Sequence, residues 1–227
     1  MDLSYTVRRS EKRKKLTITV ERDRNIVVHA PAHASDEAIE QIVQSKKFWI
    51  FEKSNHKQKY RDRPHPPGKE LVSGESALYL GRQYRIEIVK DDLKEIKFAH
   101  GFTIPASHVN QRKDAMRDWY IARAREKILP RVDNHARNLG VEFKQAKIVD
   151  SRYRWGSCTI KDNLNFNWRL IKAPTFVIDY VIVHELAHLI EANHTADFWN
   201  VVRTQAPTMD KARIWLKENG QILEEDI

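Results

Sequence analysis

The strongest constraint on the fold is an apolar segment, "VIDYVIVHELAHLIEA", at residues 177–192. Its apolar residues fall on all sides of a helix, which is typical of a buried helix rather than of a surface helix. Pro174 suits the first turn of such a helix, and Asn193 tolerates the left-handed conformation of a helix cap. We therefore predict one buried helix that begins near Pro174 and stops near Asn193.

This helix carries the motif H-E-x-x-H at His184, Glu185 and His188. The two histidines lie one turn apart on the same face, so both imidazoles can reach one Zn²⁺ ion at about 2.0–2.1 Å. Glu185, rotated by about 100°, faces the open position where a water molecule would be activated. The motif alone also occurs by chance. The apolar helix, a third histidine nearby and a preceding strand with a glycine together favour a metal site.

A catalytic zinc needs a third protein ligand. Glu191 shares the face of His184, but seven residues correspond to about 10.5 Å of rise, too far for three groups on one straight helix to meet one ion. We expect Glu191 to support a ligand instead. His194 follows the predicted helix end, where a turn can bring it back over the helix, and it is the predicted third ligand. Asp197 and the more distant Glu218 are the other candidates for this third position.

Alternating polar and apolar residues predict three short strands before residue 31. The strands Tyr5–Arg9, Leu16–Val20 and Ile26–Ala30 would form a small antiparallel sheet with turns at Ser10–Lys12 and Asp23–Asn25. Ser35, which two acidic residues follow, predicts the start of a helix that runs to about Lys53. Residues 55–70 are polar, basic and proline-rich, which is typical of a linker or a surface loop.

Two hairpins are predicted after this segment, with turns at Gly81-Arg82 and His100-Gly101. Helical spacing of apolar residues then predicts a long helix from about Arg112 to Leu139, which Pro130 splits or kinks and Gly140 caps. We therefore predict an α+β protein. An antiparallel β-rich part with one helix would occupy residues 1–109, and an α+β part with the H-E-x-x-H helix would occupy residues 110–227.

The net charge of +9 is unevenly distributed. Residues 151–227 hold 9 Lys and Arg and 10 Asp and Glu, out of 40 and 31 in the whole chain, so the positive excess lies in residues 1–150. Basic runs at residues 8–15 and 57–63 could bind nucleic acid weakly. A solvated basic face explains the same runs and is the commoner role of such segments.

The chain has one cysteine, Cys158, which cannot form an internal disulfide and fits a reducing compartment. No apolar run reaches the roughly 18 to 20 residues of a membrane span, and the first residues lack the apolar segment of a signal peptide. We expect a cytoplasmic protein with no membrane partner.

Four segments around the motif resemble the YgjP-like metallopeptidase-type family, which is related to the SprT-like and WLM zinc proteins. They are "RWGSC" at residues 154–158, "FNWRLI" at 166–171, "VIDYVIVHELAHL" at 177–189 and "NHTADFW" at 193–199. The resemblance implies zinc ligands His184, His188 and His194, with Glu185 as the catalytic acid and base. It also implies a zincin-like catalytic half, in which a strand beside the active helix can pair with an extended substrate.

Residues 154–158 are the predicted substrate strand, because Gly156 lets another backbone approach closely. Ser157 and Cys158 are expected to pack in the protein rather than act as nucleophiles. Tyr180, Arg152 and Tyr153 are candidate donors to the oxyanion. The candidate substrate-binding residues are therefore Arg154, Trp155, Gly156 and Tyr180.

The main functional hypothesis is a zinc-dependent hydrolase of the metallopeptidase type, which acts on a peptide or protein with Glu185 as general base. One alternative is hydrolysis of a nucleotide or another phosphate anhydride, with the phosphate bound by Arg152, Arg154 and Arg169. The other alternative is a nucleic-acid-associated module with a structural zinc. It is the weakest hypothesis, because structural zinc usually has four protein ligands and favours cysteine.

Overall fold

The chain folds into two compact units that divide between Pro66 and Pro67. The computed structural model describes residues 4–20, 25–54, 70–90, 93–108, 110–151 and 154–224. Each unit has a hydrophobic core of its own. Helices and small sheets alternate along the described residues, so the predicted α+β class is confirmed. The predicted turn at residues 23 and 24, most of the predicted linker and the basic run 57–63 lie outside these residues.

The first unit contains a three-stranded sheet of β1 (Tyr5–Ser10), β2 (Thr17–Val20) and β3 (Ile26–Pro31). Its order is β1-β3-β2, with β2 antiparallel to β3 but β1 parallel to β3. The prediction of a fully antiparallel sheet is therefore wrong in this detail. The reason lies in β3, which is buried along almost its whole length and takes the central position, whereas β1 is mostly exposed and forms an edge.

Two helices follow the sheet, α1 (Asp36–Ser45) and α2 (Lys47–Ser54), where the sequence predicts one. The predicted start is confirmed, since the Ser35 hydroxyl accepts a hydrogen bond from the backbone N–H of Ala38 at 3.2 Å. The break falls at Lys46, the C-cap of α1. Apolar residues of both helices are buried in the first core, namely Ile39, Val43 and Ile50.

The second unit begins with a four-stranded sheet of order β4-β5-β7-β6. Its strands are β4 (Ser76–Tyr79), β5 (Arg82–Val89), β6 (Lys97–Phe98) and β7 (Phe102–Pro105). Both predicted hairpins are present, as antiparallel pairs β4–β5 and β6–β7. The first turn is Leu80-Gly81, where both residues have positive φ, as the tightest hairpin turns require.

Helix α3 spans Arg112–Leu139 without a break, and Gly140 caps it in the left-handed conformation. Pro130 lies inside the helix and does not split it. One face of α3 is buried with a spacing of four residues, at Met116, Tyr120, Ala124, Ile128, Val132 and Ala136. This face of α3 packs into the same hydrophobic core as the four-stranded sheet. Helix α3 and this sheet therefore belong to one compact unit.

This shared core explains why the two compact units divide at residue 66 and not at the predicted residue 109. The Tyr120 hydroxyl of α3 donates to the carbonyl of Leu78 in β4 at 2.7 Å. The turn of the β4–β5 hairpin also bonds to the segment before the motif helix, with Leu80 N–H donating to Ile171 at 2.9 Å and Gly81 N–H to Lys172 at 2.8 Å. Residues 70–108 thus fold with the motif helix.

The rest of the second unit consists of a second sheet and three helices. Strands β8 (Gln145–Val149), β9 (Gly156–Cys158) and β10 (Asn163–Asn167) have the order β8-β10-β9. Strand β10 is parallel to β8 and antiparallel to β9. A 3-10 helix at Trp168–Lys172 leads into α4 (Thr175–Ala187), α5 (Ala196–Gln205) and α6 (Met209–Leu223). Among the described residues, no helix is both long and apolar enough to cross a bilayer.

Candidate active site

Helix α4 carries the motif and is buried over most of its length. It packs against α3, α5, α6 and β9, as its apolar surface predicts. Its first turn is fixed by Pro174, the N-cap, which lies so close to the β4–β5 hairpin turn that a Cβ on Gly81 would be 2.6 Å from the Pro174 side chain. The position of Gly81 therefore requires glycine for both its positive φ and its contact.

The helix ends at Ala187, and His188 is its C-cap, so α4 is shorter than predicted. Asn193 is not among the described residues with positive φ and does not cap α4. Three backbone hydrogen bonds, from Leu189, Ile190 and Glu191 to Leu186 and Ala187, form a turn directly after the helix. The chain reverses early for this reason, and five residues remain to bring His194 back to the motif.

His194 precedes α5, whose N-cap is Thr195. The Thr195 hydroxyl accepts from the backbone N–H of Phe198 at 3.3 Å, which fixes the start of α5 directly after the histidine. The ligand atoms of His184, His188 and His194 all lie within 4.8 Å of one another. We refer to these three residues as the histidine cluster. Asp197, Glu191 and Glu218 do not offer a ligand atom to it.

The hydrogen bonds of the cluster indicate which nitrogens can bind a metal. Nδ1 of His188 lies 3.3 Å from the carbonyl oxygen of Glu191. A carbonyl only accepts, so Nδ1 carries the proton and Nε2 keeps a lone pair. Nε2 of His184 and Nε2 of His194 lie 3.1 Å apart. The backbone carbonyl of Glu191 thus contacts His188, a predicted ligand, while the Glu191 carboxylate accepts from the N–H of Asn193 at 3.4 Å.

Aromatic rings of α5 hold the histidines in place. The Phe198 ring is fully buried, and its centroid lies 4.6 Å from that of His188 and 4.7 Å from that of His194. Trp199 stacks on His194 with a centroid distance of 5.5 Å and an interplanar angle of 29°. The guanidinium carbon of Arg213 in α6 lies 5.0 Å from the Trp199 ring centroid. We call Phe198, Trp199 and Arg213 the helical wall.

Strand β9 and the exposed Arg154 that precedes it form the other side, which we call the strand wall. Glu185 is buried against it, only 8% exposed. A Cβ on Gly156 would lie 2.6 Å from Cγ and 2.7 Å from Oε1 of Glu185. Gly156 is therefore required by the glutamate side chain, whereas the sequence predicted that it makes room for a substrate backbone.

The other predicted substrate-binding residues have different environments. Trp155 is partly buried in the core, and its ring lies 3.6 Å from where a Cβ on Gly220 of α6 would be. Tyr180 is 7% exposed, with its ring centroid 5.9 Å from that of His184. Arg152 and Tyr153 lie outside the described residues. Of the four predicted substrate-binding residues, Arg154 is the one that is exposed beside the site.

Ser157 and Cys158 are both half-buried on β9. The Ser157 hydroxyl accepts from the Asn165 side-chain amide at 3.3 Å. Burial, together with the charges of Glu185 and Asp162, raises the pKa of the Cys158 thiol. A thiol with a raised pKa is a poor nucleophile.

The electrostatics of the site follow from burial. Burial, followed by the charges of the two neighbouring histidines and of Arg213, lowers the pKa of His184 to about 4. The pKa of His188 is lowered as well, mainly by burial. Burial raises the pKa of Glu185 to about 7, while a hydrogen bond from the Cys158 backbone and the charge of Arg154 oppose this rise.

The residues present fit a divalent metal. Metal ligation requires neutral imidazoles, and the lowered pKa values keep His184 and His188 neutral near pH 7. Tetrahedral ligands at about 2.0–2.1 Å from a zinc ion are about 3.3–3.4 Å apart, close to the 3.1 Å between the Nε2 atoms of His184 and His194. Nδ1 of His184 is buried and has no hydrogen-bond partner among the described residues, so its Nε2 is the nitrogen that faces the cluster.

Comparison with protein families agrees with this geometry. The model of the family described as "YgjP-like, metallopeptidase domain" matches residues 14–219. The chain belongs to the YgjP-like family. This YgjP-like protein is therefore a metal-dependent peptidase, and the resemblance found in the sequence is confirmed. A comparison with curated proteins gave no match.

Two solved structures are similar to part of this YgjP-like chain. One is the metallopeptidase zymogen of Methanocaldococcus jannaschii jannalysin, with 19% identity, a TM-score of 0.35 and coverage of 40% of this chain and 93% of that chain. The other is the metallopeptidase zymogen of Pyrococcus abyssi abylysin, with 19% identity, a TM-score of 0.34 and the same coverage.

Sequence reasoning missed the residues of the helical wall. The motif "NHTADFW" includes Phe198 and Trp199, but nothing in it indicates that their rings pack on the histidines. Arg213 lies 25 residues after His188 and belongs to no recognisable motif. Only the packing of α6 against α4 brings it near the site.

Proposed function

We propose that the protein is a zinc-dependent peptidase in which His184, His188 and His194 bind the metal and Glu185 is the general base. The observation that carries this proposal is the convergence of three imidazole ligand atoms within 4.8 Å beside a buried carboxylate. Three histidines with one open position suit a catalytic zinc, since a structural zinc is usually closed by four protein ligands.

A zinc ion on these nitrogens would supply the Lewis acidity that activates a water molecule and polarises a peptide carbonyl. The protein's own residues do the rest. Glu185 would take a proton from the attacking water at a carboxylate oxygen and later give it to the nitrogen of the leaving amine. The backbone N–H of Cys158 orients this carboxylate, and Gly156 leaves the space that it occupies.

An extended peptide is the substrate that the strand wall suits best. In the described sheet, β9 pairs with β10 on one side only. On its other edge the Cys158 N–H is bonded to Glu185, and the remaining backbone groups of that edge can hydrogen bond to a peptide backbone. Recognition by strand addition reads mainly the main chain, and side-chain pockets add specificity. We expect peptides to bind along β9, next to Glu185.

The alternative of a phosphate-binding site loses one of its three arginines. Arg169 bonds to Asp150 at 2.5 Å, and its guanidinium carbon lies 4.4 Å from the Trp168 ring centroid. Arg152 lies outside the described residues, so Arg154 is the one of these three arginines that is seen at the site. In the basic first unit, Arg9 is also engaged internally, with Asp36 at 2.6 Å and the carbonyl of Ala34 at 2.5 Å.

The test of the proposed function uses Glu185→Gln and a library of peptides, with cleavage products identified by mass spectrometry. An amide keeps the shape of the side chain but cannot accept the proton, so we expect kcat to fall by about 10²–10⁴ while zinc is retained. Glu218→Gln is the matched control, because Glu218 is exposed on α6 and outside the cluster. Near wild-type cleavage by Glu185→Gln would contradict the assigned base.

The ligand set is tested separately by metal analysis of His194→Ala. Loss of one of three ligands should reduce zinc affinity by more than the roughly 10–100-fold that loss of an outer-shell partner costs. His100→Ala, at an exposed hairpin turn, is the control and should bind zinc like the wild type. Full zinc stoichiometry and affinity in His194→Ala would remove His194 from the ligand set.

A further inference from the structure

Arg213 is a cation near the histidine cluster. The proposed mechanism gives it no role. It lies on α6, which packs against α4. Its guanidinium carbon is 5.0 Å from the centroid of Trp199, and the Trp199 ring is in turn 5.5 Å from His194 and 5.7 Å from His184. Stacking on an aromatic face is a favoured arrangement for arginine and restricts where the charge can lie.

The charge of Arg213 reaches the face of α4 that carries the ligands. It opposes the rise that burial causes in the pKa of Tyr180, whose ring centroid lies 5.9 Å from that of His184. Tyr180 and His184 are one helical turn apart on α4, so the guanidinium lies near the face of this helix that carries the histidines.

The donors of Arg213 are available to a ligand. Its carboxylate neighbour is Asp210, but Nη1 of Arg213 lies 3.8 Å from Oδ1 of Asp210, which is longer than a hydrogen bond. Both side chains are open to solvent, 52% and 72% exposed. Across the described ranges of the chain, no residue accepts a hydrogen bond from this guanidinium.

We propose that Arg213 donates a hydrogen bond to the carbonyl oxygen of the scissile peptide bond and stabilises the negative charge that develops there. This inference depends on the proposed function. When the water oxygen bonds to the carbonyl carbon, the π electron pair moves to the carbonyl oxygen and Glu185 takes the water's proton. The carbon–nitrogen bond then breaks as the carbonyl re-forms, and the amine nitrogen receives the proton.

The arrangement of the two walls favours Arg213 over the other donors near the site. In the proposed complex, the carbonyl oxygen lies away from Glu185, which packs against Gly156 of β9. Arg154 is on the same side as the base. Tyr180 is only 7% exposed and packs beside His184, whereas Arg213 is half exposed next to Trp199.

The test compares Arg213→Met with Lys211→Met on a peptide that the wild type cleaves. Lys211 lies on the same helix, with its ammonium 4.9 Å from the Phe176 ring centroid, at the far end of α4 from the motif. Removal of an oxyanion donor costs about 10²–10³ in kcat, so we expect this loss for Arg213→Met with KM changed less than about threefold. Lys211→Met should resemble the wild type, and both variants should keep their zinc.

A binding measurement gives a readout that does not depend on turnover. Calorimetry should show that Arg213→Met binds a phosphinic peptide, a stable tetrahedral anion, about 10²–10³-fold more weakly than the wild type. The parent peptide, measured in a Glu185→Gln background, should bind equally well with and without Arg213. Equal losses for both ligands would overturn the proposal, because Arg213 would then contribute only to ground-state binding.

Two further results would also overturn it. The first is a wild-type kcat in Arg213→Met, together with a large loss in Tyr180→Phe, which would assign the donor to Tyr180. The second is the failure of the wild type to cleave any peptide, which would remove the proposed function and with it the role of Arg213. The first result removes only the role of Arg213, so the two failures can be told apart.

Discussion

The strand wall positions Glu185 because Gly156 has no side chain in the space that the glutamate occupies. The helical wall positions the histidines because aromatic side chains pack against them. On the strand wall, the missing side chain of Gly156 accommodates the glutamate, and a backbone N–H orients its carboxylate. On the helical wall, the rings of Phe198 and Trp199 pack directly on His188 and His194. The strand wall should therefore be sensitive to added volume and the helical wall to removed volume.

The largest effect is expected from removing volume at the helical wall. Phe198→Ala deletes a fully buried ring and should lower the free energy of unfolding by about 3–5 kcal/mol. Because the ring also contacts the histidines, zinc affinity should fall by at least about tenfold. Urea unfolding and competition with a chelator measure the two quantities.

Phe102→Ala is the matched control for Phe198→Ala. Phe102 is buried in the same core, on β7, and it does not contact the cluster. The control should lose similar stability and keep wild-type zinc affinity. If both variants lost zinc affinity equally, packing on the histidines would not be the cause.

Adding volume at the strand wall should have the next largest effect. In Gly156→Ala the new methyl group would overlap Glu185, which must move away from the Cys158 N–H. We expect kcat to fall by about 10²-fold, since a misplacement of about 1 Å costs this much, while zinc binding remains. Steady-state kinetics and metal analysis test this, and an unchanged kcat would contradict the requirement for glycine.

Gly220→Ala provides the control for the strand wall. Gly220 lies inside α6, where a Cβ would make ordinary contact with Trp155 at 3.6 Å. Alanine in a helix interior should raise the free energy of unfolding by about 0.5–1 kcal/mol without changing kcat. The pair separates the effect of added volume at Glu185 from the effect of replacing a glycine.

A smaller effect is expected where α4 meets α3, away from both walls. Asp179 accepts hydrogen bonds from Arg131 at 2.8 Å and 3.1 Å and from His135 at 3.2 Å. Burial alone would raise the pKa of Asp179, but these bonds and the charge of Arg131 lower it below 3.8. Asp179→Asn should therefore cost about 1–3 kcal/mol of stability near pH 7 with little change in kcat.

The sign of the pH dependence follows from that lowered pKa. The stabilisation by Asp179 is present above its unfolded-state pKa of 3.8 and is lost as the pH falls through the lower folded-state value. The difference in stability between wild type and Asp179→Asn should thus shrink below about pH 4. Urea unfolding at several pH values measures it, and a difference that grew on acidification would contradict the assignment.

The sequence predicts the parts of the site that depend on local spacing. The separation of His184 and His188 on one helix determines their shared face, and the turn after α4 is short enough to bring His194 back. Arg213 could not be predicted, because its position depends on how α6 packs against α4. The parallel pairing of β1 with β3 was missed for a related reason: alternation indicates which face of a strand is buried but not which strand lies beside it.

The early end of α4 at Ala187 also has an electrostatic consequence for the metal. The peptide dipoles of a helix add up to a partial negative charge at its C-terminus, within the last turn. His184 and His188 occupy this last turn and the cap, so a dication bound there would lie at the negative end of the 13-residue helix. Such a position stabilises each unit of positive charge by about 0.3–1 kcal/mol, and by more where the site is partly buried. Had the helix continued to Asn193, its negative end would lie more than a turn beyond His188, and the backbone would contribute little to holding the ion.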